Sequence, residues 1–150
     1  MSQENVELIK TLTAGAGSDL VPLFRDDGAW AALKDAIEPF VEPDCRVVAI
    51  ATGLTREYSG IEGLREGWVD WLAPWASYRQ ELEEPIDLGD RIVILGRERG
   101  RLVDTDSEVE TRSGAVYYLR NGKIARAEYY LTRAEALEAV GLAQQADHGS

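Results

Sequence analysis

The chain is poor in the residues on which most catalytic and structural chemistry depends. Its 150 residues include one cysteine, Cys45, and one histidine, His148. A lone cysteine excludes an intrachain disulfide and fits a reducing compartment. A lone histidine near the C-terminus argues against a His and Cys zinc site and against a Ser-His or Cys-His nucleophilic pair. Acid–base chemistry therefore falls to carboxylates, tyrosines, lysines or water. Positive charge is also scarce: 16 Lys and Arg stand against 27 Asp and Glu, a formal net charge of −11. That excess repels phosphate backbones and anionic membrane surfaces, so neither nucleic acid nor membrane is an expected partner. No apolar run approaches the roughly 20 residues that span a bilayer. The start, Met1-Ser2-Gln3-Glu4-Asn5, lacks the basic region and apolar run of a leader, and a cytoplasmic protein is expected. Gly15-Ala16-Gly17 is half of a dinucleotide fingerprint, with Leu20 in the sixth place. Asp104-Thr105-Asp106-Ser107-Glu108 begins like a calcium loop, but Val109 and Ala115 stand where Gly and Glu are needed. No metal or cofactor is expected.

What is present is an ordinary globular composition, 45% hydrophobic and 29% charged, sufficient for one domain with its own core. Residues 1–142 read as that domain and 143–150 as a disordered tail. Ser2 caps a first helix through Val6, Ile9 and Leu12, broken at Gly15-Ala16-Gly17. Ser18 caps a short segment from Asp19 to Arg25, and Trp30, Leu33, Ile37 and Phe40 continue at helical spacing to Pro43. Arg46 to Ala51 is short, apolar and β-branched, a strand covered on both faces. Ser59-Gly60-Ile61-Glu62 is a capping box. It opens a helix whose stripe is Ile61, Leu64, Trp68, Trp71, Leu72 and Trp75. Strands follow at about 78–88, 91–103, 108–120 and 123–131, the last two joined by Asn121-Gly122, a strong hairpin signal. Thr132-Arg133-Ala134-Glu135 caps a final helix that stops at Gly141. Helices grouped ahead of a run of strands predict an α+β fold.

The helical N-terminus, the strand after Pro43-Asp44, the helix start Gly60-Ile61-Glu62-Gly63-Leu64-Arg65 and the ending Asn121-Gly122-Lys123-Ile124 through Glu128-Tyr129-Tyr130 to Gly141-Leu142 resemble the SnoaL-like branch of the NTF2-like superfamily. The resemblance implies a cone: a strongly bent antiparallel sheet wrapped around N-terminal helices, with a pocket at the wide end. It also implies a homodimer through the outer sheet face. Relatives include polyketide cyclases, ketosteroid isomerases and epoxide hydrolases. Their catalytic groups do not carry over: Ala49 stands nearest the isomerase base, Thr132 stands where many cyclases have Asp, and no Asp pair flanks Arg97 or Arg99.

The residues themselves suggest where a site could lie. A two-residue turn pairs Arg120 with Lys123 and Leu119 with Ile124. Strict alternation then gathers Ser113, Ala115, Tyr117, Leu119, Ile124, Arg126, Glu128 and Tyr130 on one face, with Tyr118, Val116, Gly114, Ala125, Ala127 and Tyr129 on the other. The first face suits a polar-lined pocket and, slightly better, a half-wet outer or dimer face. Trp68, Trp71 and Trp75, with Tyr58, are read mainly as core, one or two of them walling a cavity for an apolar or aromatic ligand. Arg97, Arg99 and Arg101 share a face, Glu98 faces the other way, and Glu108 and Glu110 share a face on the next strand; a surface charge ladder is the favoured reading. The expected ligand-binding set is Tyr58, Trp68, Trp71, Trp75, Arg97, Tyr117 and Tyr130. Glu128 and Glu110 are the expected carboxylates should there be catalysis. The leading reading is a small-molecule binder; the alternatives are a cofactor-independent cyclase, isomerase or hydrolase, and an interaction module without catalysis.

Overall fold

The computed structural model describes residues 3–13, 17–51 and 54–142. Of the expected break at Gly15-Ala16-Gly17 only Gly17 is described, at a positive φ of 87°; the Ser2 cap, His148 and the tail lie outside the described residues. Three helices come first: α1 (Gln3–Thr13), α2 (Leu20–Arg25) and α3 (Asp27–Ile37). Asp19, not Ser18, caps α2, its Oδ1 accepting from Val21 N at 3.1 Å. Asp26 serves two helices. Its N–H closes α2 on Pro22 O, and its carboxylate opens α3 by accepting from Ala29 N at 2.8 Å.

A turn of 3-10 helix leads into β1 (Val41–Ala51), longer than the predicted strand. Pro43 sits inside it, where the pairing to β7 (Lys123–Tyr130) slips between Val41 and Arg46. Proline has no N–H to give a ladder, so the irregularity is where it can be housed. β2 (Leu54–Ser59), unforeseen because its residues are mostly polar, turns back on β1 as the sheet's edge. α4 (Gly60–Trp71) follows; its expected capping box does not close, and Glu62 instead pairs with Lys34 Nζ at 2.9 Å. Pro74 ends the helix as predicted, so Trp75 leaves the tryptophan stripe and becomes the first residue of β3 (Trp75–Leu82). β4 (Ile86–Asp87), β5 (Arg91–Leu102), β6 (Glu108–Arg120) and α5 (Arg133–Ala139) complete the chain.

The sheet runs β2-β1-β7-β6-β5-β3, with β4 also on β5. It is mixed, not purely antiparallel, because β1 and β7 lie parallel. Its inner face meets α1 through Leu8, Val47, Ile92 and Ile94, and meets α2 to α4 through Phe24, Leu72 and Tyr78. Its outer face carries α5, whose Ala136 and Leu137 are buried with Val93, Leu95 and Val116. Burial of one Leu side chain stabilises by about 2 kcal/mol, so this helix is pinned by few residues. Thr132 caps it as predicted, accepting from Glu135 N at 3.1 Å.

The Asn121-Gly122 turn forms with both residues at positive φ, 56° and 77°, and pairs Arg120 with Lys123 as expected. Beyond Leu119 and Ile124 the register shifts, and Tyr118 then pairs with Arg126. Ala125 is the extra residue. A one-residue bulge inverts every later side chain on its strand. Ala115 and Tyr117 therefore share the inner face with Ala127 and Tyr129, while Arg126, Glu128 and Tyr130 turn outward.

Candidate functional site

Two spaces lie between the helices and the inner sheet face. The inner one, about 130 Å³, is walled mostly by apolar side chains such as Leu8, Phe24, Ile94 and Trp68. It is close in size to a dry cavity that admits benzene, roughly 150 Å³. The second, about 540 Å³, is a more open chamber at the ends of the strands, bounded by Tyr58, Trp75, Thr111 and Leu131 among others. Trp71, Tyr78 and Ser113 line both.

Local sequence explains how these groups meet. Gly67 of α4 faces Tyr58; a Cβ there would lie 3.2 Å from the tyrosine ring, so the absent side chain leaves room for the ring against the helix. The Tyr58 hydroxyl then reaches one helical turn on and donates to Asp70 Oδ2 at 2.6 Å. Burial, followed by Asp70, raises the pKa of this phenol. Trp71 Nε1–H donates to the Tyr78 hydroxyl at 3.2 Å. Trp68 stacks on Phe24 at 5.1 Å and meets Tyr129 edge-on at 5.3 Å. Tyr117 and Tyr129 share a hydroxyl contact of 3.2 Å, and burial pushes Tyr117 up to about 12.

Beside the junction of the two spaces lies Glu98, 1% exposed. Alternation along β5 places it inward with Ile92, Ile94 and Gly96, opposite the three arginines. Its Oε1 accepts from the Thr111 hydroxyl at 3.2 Å and its Oε2 from Gln80 Nε2 at 3.4 Å, and Ser113 beside it also favours the anion. Gln80 lines the inner cavity, Thr111 the outer chamber and Ser113 both. No described cation pairs with Glu98. Burial therefore raises its pKa above the ordinary carboxylate value, and its neutral donors only partly oppose this. Burial and then the charge of Glu98 also raise the neighbouring Tyr78.

The predicted site residues separate into two groups. Tyr58, Trp71 and Trp75 meet at the outer chamber, and Trp68, Trp71 and Tyr117 meet at the inner cavity. Tyr130 touches the inner cavity, but its hydroxyl donates to Glu128 at 2.6 Å and its ring packs with α5. Glu128 lies outward, bound also by Tyr118 at 3.0 Å and Arg126 at 2.7 Å, because of the bulge at Ala125. Arg97 and Glu110 stand 3.4 Å apart on the exposed ladder, Arg97 holding Glu81 at 2.6 Å, away from both spaces. Sequence reasoning missed Glu98, Gln80, Thr111, Ser113 and Tyr78 as a group. One signal was available: Glu98 is the single carboxylate on the strand face that also carries Ile92, Ile94 and two glycines.

Among the described residues no helix is long and apolar enough to cross a membrane, and no cluster of His, Cys, Asp and Glu could hold a metal ion. Cys45 is buried, which pushes its thiol up to about 11 and away from the reactive thiolate.

Residues 7–127 match the family of the SnoaL-like domain. No curated protein matches the chain. Among solved structures, TerC co-crystallised with polyporic acid is 21% identical, with a TM-score of 0.64 over 95% of this chain and 99% of its own. An NTF2-like protein of unknown function from Burkholderia pseudomallei K96243 is 18% identical, with a TM-score of 0.63 over 94% and 99%. A hypothetical protein with a ketosteroid isomerase-like fold from Catenulispora acidiphila, in complex with trimethylamine, is 17% identical, with a TM-score of 0.54 over 82% and 89%. At these identities the likeness is one of fold.

Proposed function

The chain belongs to the SnoaL-like domain family, and from that premise we propose that it binds a small apolar or aromatic molecule between α4 and the inner sheet face. One observation carries this reading. An apolar cavity and an open chamber share Trp71, Tyr78 and Ser113, so a flat ligand entering the chamber meets aromatic walls and a few polar groups together. The solved relatives that hold polyporic acid and trimethylamine lend support, since they share this fold. Tyr58, Trp68, Trp71, Trp75 and Tyr117 are the proposed ligand contacts. We further place the protein in the cytoplasm as a homodimer, formed through the outer sheet face; sedimentation as a single 16.6 kDa particle would contradict the dimer. The binding test is calorimetric titration with naphthalene-2-carboxamide. Saturable binding is expected, weakened about tenfold by Ala49→Phe, which narrows the chamber. Absence of saturable binding to the wild type rejects the reading.

A second reading rests on Glu98. A buried carboxyl without a cation, joined by hydroxyls to both spaces, is suited to take and return a proton at a carbon next to a ligand carbonyl. Proton exchange at that carbon of 2-tetralone in heavy water, followed by NMR, tests it. Acceleration by the wild type and loss of roughly a hundredfold in Glu98→Gln are expected; equal rates would remove the reading.

A further inference from the structure

Leu54, Arg56 and Tyr58 alternate along β2 and all three line the outer chamber. Arg56 lies across from Ala49, whose small side chain leaves the space beside it open. Ten of the 16 Lys and Arg have a carboxylate oxygen within 4.0 Å. Arg25, Arg79 and Arg101 donate to backbone carbonyls. Among the described residues Arg56, Arg112 and Lys123 have neither, and of these only Arg56 lines a cavity. The Tyr58 hydroxyl, on the same strand face, lies beside it. Asp70, the carboxylate that lines the chamber, is engaged by that same hydroxyl at 2.6 Å. Arg56 therefore stands exposed at the mouth of the chamber with no carboxylate paired to it. Two large apolar side chains stand exposed at the same mouth, Leu54 at 55% and Leu131 at 40%.

Resting on the reading above, we propose that the ligand is an aromatic or alicyclic carboxylate, its ring in the chamber and its carboxylate on Arg56. A planar guanidinium matches a carboxylate through two parallel N–H donors. A chain of net charge −11 repels anions elsewhere, so a local unpaired cation sets where the acid group comes to rest. The ring of such a ligand covers Leu54 and Leu131, which removes the exposed apolar surface at the mouth.

The test pairs 2-naphthoate with naphthalene-2-carboxamide, which share shape and differ in charge. The wild type is expected to bind the acid about tenfold tighter than the amide, with the preference shrinking as salt rises. Arg56→Gln abolishes the preference by weakening the acid more than the amide, whereas Arg112→Gln, on the outer face, leaves the preference intact. Equal affinities in the wild type, or a preference that survives Arg56→Gln, overturn the proposal. If neither probe binds the wild type, the chamber reading itself falls and this assignment with it.

Discussion

Glu98 and Glu128 are both buried carboxylates in the same sheet, 1% and 8% exposed, yet their surroundings drive them in opposite directions. Glu98 faces inward and meets only neutral donors, from Thr111, Gln80 and Ser113, so burial wins and its pKa rises. Glu128 faces outward. Burial pushes it up as well, but two tyrosine hydroxyls and the Arg126 guanidinium stabilise the anion more, and its pKa falls. Burial alone therefore does not decide the protonation of a carboxyl; the hydrogen bonds it accepts, here from Tyr130 and then Arg126, decide it with burial. On the outer face the result is a structural tie between β6 and β7. On the inner face it is a carboxyl whose neutral form burial favours.

The largest effect should come from breaking the outward tie. Glu128→Ala leaves Arg126, Tyr118 and Tyr130 without their acceptor and is expected to cost about 2 kcal/mol in urea unfolding at pH 7, the part-exposure of Arg126 keeping the loss below that of a fully buried pair. Because its folded pKa is depressed, the contribution of Glu128 is present above the unfolded carboxylate value and is lost as pH falls through the folded one. A mutant whose deficit against wild type stayed constant down to pH 2 would contradict that assignment.

The inward group should behave in reverse and more weakly. The folded pKa of Glu98 is raised, so its stabilising contribution is complete below the unfolded carboxylate value and is lost as pH rises through the folded one. Glu98→Gln keeps the shape and removes the titration. It is expected to raise stability by about 1 kcal/mol at pH 8 and to leave it unchanged near pH 4, measured by thermal unfolding. Destabilisation across the whole range would mean that the anion is the stabilised form, and the contrast between the two carboxylates would disappear.

Much of this architecture was legible in the chain. The Asn121-Gly122 turn, the Thr132 cap, the bounds of β6 and the stop at Pro74 all follow from side chains acting within a few residues. β2 was hidden because an edge strand with exposed side chains carries no apolar alternation to detect. Of the site, the aromatic walls at Trp68, Trp71 and Tyr117 could be named, since large rings on a periodic stripe must be buried somewhere. The polar group around Glu98 could not be assembled, because Gln80, Glu98 and Thr111 are joined only by the pairing of three strands.

Local chemistry by itself thus determined the α+β class, the Asn121-Gly122 turn, the Thr132 cap and the acidic net charge. Only the tertiary structure decided which side of the sheet each carboxylate occupies. Side-chain alternation has a period of two, so the single extra residue at Ala125, admitted by long-range pairing, sends Glu128 outward. Pairing on both flanks of β5 encloses Glu98, and the environment each carboxylate receives there sets its charge.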